Sequence, residues 1–229
     1  SGVWYYKVLY AEAFRSPGIS NIQLGVVPDD IRPERTRTAE LEVGREIGRG
    51  VLSVNFVDTV ITDPLVYTGA TNTYENQGKS GTFGTEVEYK ARPTWGFLNS
   101  SMSFYTAKHE TDYYKAPGHR DYSLAAPRLK VAVAAGVHLN SEWTVGPSLI
   151  AIGERYAYAS DNGTANYRFF DPAFLLNVNT EYKRGDWTTS LGVYDILDEN
   201  PGYLQQYKGG FTQIPGPSRE VMAKVHYRF

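Results

Sequence analysis

Apolar and polar residues alternate with a period of two in about ten stretches of this chain, and the connections between them alternate long and short. Successive side chains of a strand point to opposite faces, so each stretch reads as a β-strand with one apolar and one polar face. The last stretch, Ser218 to Phe229, shows the pattern in full. Val221, Ala223, Val225, Tyr227 and Phe229 fall on one face, and Glu220, Met222, Lys224, His226 and Arg228 on the other.

The other stretches follow in order. The first runs from Val3 to about Phe14, with Trp4, Tyr6, Val8 and Tyr10 on one face, and a long connection leads to Arg35. Thr36 to Gly44 sets Ala39, Leu41 and Val43 against Thr38, Glu40 and Glu42. After a glycine turn, Leu52, Val54 and Phe56 oppose Ser53 and Asn55. A long connection precedes Phe83 to Lys90, where Val87 and Tyr89 oppose Glu86 and Glu88. A turn at Pro93 leads to Leu98, Met102 and Phe104, and another long connection reaches Arg128. The sixth stretch is the cleanest, with Leu129, Val131, Val133, Ala135 and Val137 against Lys130, Ala132, Ala134, Gly136 and His138. The seventh, Trp143 to Tyr158, is blurred by Pro147 and by Leu149-Ile150-Ala151-Ile152. A long loop from Ser160, the strand around Phe174 to Tyr182, a turn at Gly185, the strand from Trp187 to Asp198 and a last long loop complete the chain.

The parity of the connections discriminates between all-β architectures. A sandwich has no reason to sort its loops by length. Transmembrane barrels do, with short turns at the periplasmic end and long loops outside. The chain therefore reads as all-β, an antiparallel transmembrane β-barrel sheet of about ten strands. Tyr89, Trp143, Tyr182, Trp187 and Phe229 fall near the short-turn rim, where interfacial aromatics belong. The 18 Tyr and 22 Gly against 2 Met suit strands and turns. The absence of Cys excludes thiolate metal sites and Cys nucleophiles. A net charge of -2 without a basic cluster gives no footprint for nucleic acid. The chain begins at Ser1 and enters a strand by Val3, as a mature product or a fragment would.

Several short motifs follow in order over most of the chain: Tyr10-Ala11-Glu12-Ala13-Phe14-Arg15-Ser16-Pro17, Arg32-Pro33-Glu34, Asn76-Gln77-Gly78-Lys79, Gly84-Thr85-Glu86-Val87-Glu88, Gly153-Glu154-Arg155-Tyr156 and Asp195-Ile196-Leu197-Asp198. Together they resemble the motifs of the TonB-dependent outer-membrane receptor family, and Tyr10 to Pro17 is similar to the family's aromatic strand ending in Phe-Arg-Ala-Pro, with Ser16 for Ala. Arg32-Pro33-Glu34 resembles its Lys/Arg-Pro-Glu entry to the next strand. Asn76-Gln77-Gly78-Lys79, Gly84-Thr85-Glu86-Val87-Glu88 and Gly153-Glu154-Arg155-Tyr156 match further elements, and Asp195-Ile196-Leu197-Asp198 resembles Asn-Leu-Phe-Asp with two departures. The resemblance implies that residues 1–229 are the C-terminal portion of a larger barrel of about 22 strands, with the plug and first strands absent. It implies a receptor of the bacterial outer membrane for energised uptake of a scarce ligand, a ferric siderophore or similar small molecule. Its partners would be outer-membrane lipid and, through the plug, the TonB energy-transducing complex. Catalysis and resident cofactors or metals are not expected. A passive porin or structural barrel, and a soluble β-sandwich binding module, are the alternatives.

Ligand-binding candidates lie in the long loops. Tyr113, Tyr114, Lys115, Arg120 and Arg168 place aromatic faces and cations on two consecutive loops, which suits an anionic aromatic ligand. By alternation Glu40, Glu42, Glu86, Glu88, Lys130, Lys224 and Arg228 face the lumen and, in a plugged barrel, the plug. His109 and His119 share a loop with Glu110, Asp112 and Asp121, but their spacing fits a solvated loop better than a metal template. No His lies between Pro17 and Arg32, where the family's haem receptors carry one.

Overall fold

The computed structural model describes residues 2–25, 30–68, 71–108, 115–116, 118–161, 164–199, 201–207 and 210–229. Ten strands form one antiparallel sheet: β1 (Trp4–Arg15), β2 (Glu34–Ile47), β3 (Gly50–Thr62), β6 (Lys79–Ala91), β7 (Gly96–Lys108), β10 (Leu129–His138), β11 (Trp143–Ile152), β14 (Ala173–Arg184), β15 (Trp187–Tyr194) and β18 (Glu220–Tyr227). Each pairs with its neighbours in that order. An up-and-down order puts every short turn at one end and every long connection at the other, as the parity of connection lengths anticipates.

The long connections are themselves structured, which alternation did not reveal. The first holds the short helix α1 (Ile19–Gln23). The others hold two-stranded hairpins: β4 (Leu65–Thr68) with β5 (Thr73–Asn76), β8 (Lys115–Ala116) with β9 (His119–Ser123), β12 (Arg155–Asp161) with β13 (Thr164–Phe170), and β16 (Tyr203–Tyr207) with β17 (Gly210–Ile214). The seventh stretch therefore divides. β11 ends at Ile152, and Gly153, whose N–H donates to Leu129 O at 2.8 Å, leads into β12.

Register fixes the two faces. Leu41 opposes Val8 and Phe56, Val43 opposes Tyr6 and Val54, and Val131 opposes Met102 and Ala151, so one face is apolar. Its large side chains are exposed, Val8 at 78% and Val221 at 68%. On the other face Glu42 opposes Lys7 and Asn55, Glu86 opposes Asn55 and Ser103, and Lys130 opposes Ser103. Aromatic pairs gird the short-turn end: Trp143 with Tyr182 (4.7 Å), Trp187 with Tyr227 (4.7 Å) and Tyr227 with Phe229 (5.1 Å).

The degenerate motifs turn out to be joints between connections. Asn76 Oδ1 accepts from the Arg32 N–H at 2.6 Å, and its Nδ2 donates to the carbonyls of Arg32 (2.9 Å) and Asp63 (2.8 Å). Arg32 also pairs with Asp63 (3.0 Å), and Glu34 pairs with Arg15 (3.3 Å) while accepting from the Leu65 N–H. In the last long connection, Asp195 and Asp198 both take positive φ. Asx residues tolerate that region better than most, which explains acidic residues at both ends of the Asp195–Asp198 turn.

Candidate functional site

Two zones carry polar chemistry, one along the polar face and one at the long-connection end. On the polar face, Tyr5 donates to Glu42 (2.7 Å), Asn55 to Glu40 (3.1 Å) and Tyr105 to Glu86 (2.6 Å), while Lys90 pairs with Glu88 at 2.7 Å. Tyr105 can lie flat here because its register partner is Gly84, where a Cβ would sit 2.3 Å from the ring. Glu42, Glu86, Glu88 and Lys130 share a recess of about 350 Å³ with Ser53, Asn55, Ser101 and Ser103. Three carboxylates and one ammonium make its lining anionic. Lys224 lies on the same face, opposite Ser190. Arg228 follows β18, and its N–H still donates to Asp186 O at 3.0 Å.

At the other end, rings and guanidinium groups converge. His119 of β9 lies 4.7 Å from Tyr156 of β12 and 4.8 Å from Phe169 of β13. Tyr122 is 5.4 Å from Phe169, and Tyr156 stacks on Tyr167 at 5.8 Å with the planes 7° apart. Arg128 lies over the rings of Phe104 (4.9 Å) and Tyr122 (5.0 Å), and Arg168 over Phe170 (5.0 Å). Ala157 and Phe170 are buried together, with Ala125 and Leu204 packed on them. The β8–β9, β12–β13 and β16–β17 hairpins therefore form a body with its own small core rather than independent loops.

Arg155 anchors that body. It is 8% exposed, and its Nη1 donates to Gly202 O at 2.8 Å, tying β12 to the last connection. Its Nε has no partner among the described residues, and burial lowers its pKa, although a guanidinium stays charged throughout the physiological range. Arg155, Arg168, Phe169, Phe170 and Glu199 line a cleft of about 400 Å³.

The five loop candidates from the sequence divide accordingly. Arg168 is in the cleft, and Arg120 is exposed on β9. Tyr113 and Tyr114 lie outside the described residues, and of Lys115 only the backbone, in β8, lies within them. His119 corrects the solvated-loop reading, because it is packed among three rings; His109, Glu110 and Asp112 lie outside the described residues. The sequence pattern marks Tyr122 and Phe169 as loop aromatics but does not point to His119, Arg128, Arg155 or Tyr156 as ligand contacts. The available signal was an aromatic flanked by a cation on three separate connections, but their convergence is tertiary.

An up-and-down antiparallel sheet with one apolar exposed face, one polar face and sorted connections is the wall of a transmembrane β-barrel. The chain belongs to the TonB-dependent receptor β-barrel family: residues 6–196 match the family described as "TonB dependent receptor-like, beta-barrel". It is similar in structure to the ferripyoverdine receptor of the outer membrane of Pseudomonas aeruginosa bound to ferripyoverdine, with TM-score 0.73, 14% identity, and 99% of this chain aligned to 32% of that one. The ferric-catecholate import receptor Fiu of Escherichia coli K12 gives TM-score 0.74 and 17% identity, with 100% of this chain on 33% of that one. The copper transporter OprC gives 0.69 and 16%, with 100% on 37%. The chain thus spans about a third of the length of these structures. No curated protein matches it in sequence.

Proposed function

We propose that this chain is the C-terminal portion of an outer-membrane receptor barrel that takes up a ferric siderophore or similar anionic, aromatic chelate by an energised route. In this reading the apolar face meets lipid, and the polar face lines the lumen. Glu40, Glu42, Glu86, Glu88, Lys130, Lys224 and Arg228 then meet a plug that couples to the TonB complex. The ligand binds at the long-connection end, and no chemistry is performed on it. The observation that carries the reading is the convergence of His119, Tyr122, Tyr156 and Phe169 with Arg128 and Arg168 on three hairpin strands and the entry to β10. Rings offer stacking surfaces and the guanidinium groups offer charge-assisted bonds, with cation–π contacts worth about 2 kcal/mol each once water is displaced. Family membership and iron-receptor relatives support the class of ligand, while the copper relative shows that the same fold serves another cargo.

The test is growth of an iron-starved strain on defined siderophores, with the full-length receptor carrying Arg120→Ala and Arg168→Ala together. Uptake should fall about tenfold, the equivalent of roughly 1.4 kcal/mol, with barrel assembly intact. Unchanged uptake of every iron source, or uptake that persists without the energy-transducing complex, overturns the siderophore reading.

A further inference from the structure

The apolar face is not apolar along its whole height. Near the long-connection end, register places Phe14, Arg35, Thr62 and Lys79 in one row across β1, β2, β3 and β6. The next row toward the short turns holds Glu12, Arg37, Val60, Gly81 and Lys108, and the row after it holds Asp58 beside Phe83. Six charged residues thus form a band, four cations against two carboxylates.

Two of the cations are neutralised within the band. Arg37 pairs with Glu12 at 3.1 Å, and Lys108 reaches both oxygens of Asp58 at 2.7 Å. Arg35 and Lys79 are exposed and have no carboxylate partner among the described residues. They stand on either side of Thr62, two inter-strand spacings apart, or about 10 Å. Below the band the same strands present Leu41, Phe56 and Phe104.

We infer that Arg35 and Lys79 form a site for the phosphate-bearing headgroup of a membrane lipid, whose acyl chains run down over Phe56 and Phe104. Three observations carry this. The band has a net positive charge, its unpaired members are a guanidinium and an ammonium, both good phosphate donors, and it sits directly above a continuous apolar surface on the same face. A free anion has no use for that surface, and a soluble protein partner would have to desolvate it beside lipid. A phosphorylated amphiphile matches both parts. The inference rests on the apolar face meeting lipid, and not on the identity of the imported ligand.

The experiment uses the full-length receptor purified in a non-ionic detergent. Native mass spectrometry would follow retention of phosphatidylglycerol, of cardiolipin with its two phosphates, and of phosphatidylcholine, each added at the same concentration. The parent should retain the two anionic lipids over phosphatidylcholine, and most strongly the doubly phosphorylated one. Arg35→Gln with Lys79→Gln should weaken that retention about tenfold. Arg45→Gln, at the short-turn end of the same face where Arg45 lies over Trp4, should leave it unchanged, and heat-modifiable gel mobility should show all variants folded. Retention unchanged in the double variant, equal loss in Arg45→Gln, no preference over phosphatidylcholine, or full competition by inorganic phosphate would each overturn the site. Failure of Val133→Arg to impair insertion would instead overturn the facing on which it rests.

Discussion

The two halves of the sheet solve the same problem differently. From β1 to β7 the strands are 12–14 residues long, and from β10 to β18 they are 8–12. A tilted strand needs about 9–11 residues to cross a bilayer. The first half therefore has residues to spare, and it uses them for the charged band of Arg35, Arg37, Lys79 and Lys108. The second half ends close to where its apolar residues end, and away from the short-turn rim, where Arg184 sits, its outer positions Val131, Val133, Leu149, Phe174, Leu176 and Leu191 carry no charge.

The polar faces differ in the same sense. The first half holds a network of carboxylates, tyrosines and ammonium groups across β1 to β7. The second half also carries charges on this face, Lys130, Glu181 and Lys224 among them, but sets small or neutral groups between them, such as Ala132, Ala134, Ser148, Asn177 and Asn179, with an Asn177–Ser148 hydrogen bond at 3.2 Å. A hydrogen-bonded wall holds neighbouring strands in register from the inside. A wall of small side chains depends on apolar packing outside and on the Trp–Tyr pairs at the rim. Mutations should therefore hurt the halves on opposite faces.

The largest expected effect is on the apolar face of the second half. Val133→Arg should cost about 2–4 kcal/mol of membrane folding, read as loss of the folded band in heat-modifiable electrophoresis, while Ala134→Arg on the polar face should be tolerated. Equal damage would break the assigned register. Next is the joint at Asn76, two of whose three hydrogen bonds hold the first two long connections together while the third closes the second connection on Asp63. Asn76→Ala should cost about 1–3 kcal/mol of local stability, seen as faster proteolysis in the connections with the sheet intact. Smaller again is Tyr105→Phe, which leaves Glu86 on the polar face without its donor. The loss should be about 1 kcal/mol in urea unfolding, against a few tenths for Ser148→Ala in the second half. A larger cost for Ser148→Ala would reverse the comparison. The smallest effect is expected for Glu12→Gln, which removes a half-exposed ion pair on the apolar face and should change stability by less than about 1 kcal/mol.

The sheet was legible because alternation is a local property. β10 needs only Leu129 to His138 to declare its two faces. β11 was blurred for a physical reason: Ile150 and Ile152 lie on the polar face opposite Leu175 and Ala173, so both faces are apolar near its end. The hairpins in the long connections were not legible because strands such as Leu65–Thr68 are too short to establish a period. The aromatic cluster was only partly legible. Arg168 stood out, as a cation between Tyr167 and Phe169, but His119 and Tyr156 meet only when β9 and β12 pack together. The motif residues were read as family marks. Their work as joints, Asn76 to Arg32 and Arg155 to Gly202, depends on contacts that span 44 and 47 residues.

Sidedness tests the central claim most directly, and the chain has no cysteine to complicate it. Single cysteines would be placed at Thr71 and Arg120 in the long connections, and at Arg49 and Ser141 in the short turns, in a full-length receptor without other cysteines. Intact cells would then be treated with a membrane-impermeant maleimide. The account predicts labelling at positions 71 and 120 in intact cells, and at 49 and 141 only after the outer membrane is opened. Labelling of position 49 or 141 from outside to the same extent as 71 would contradict it.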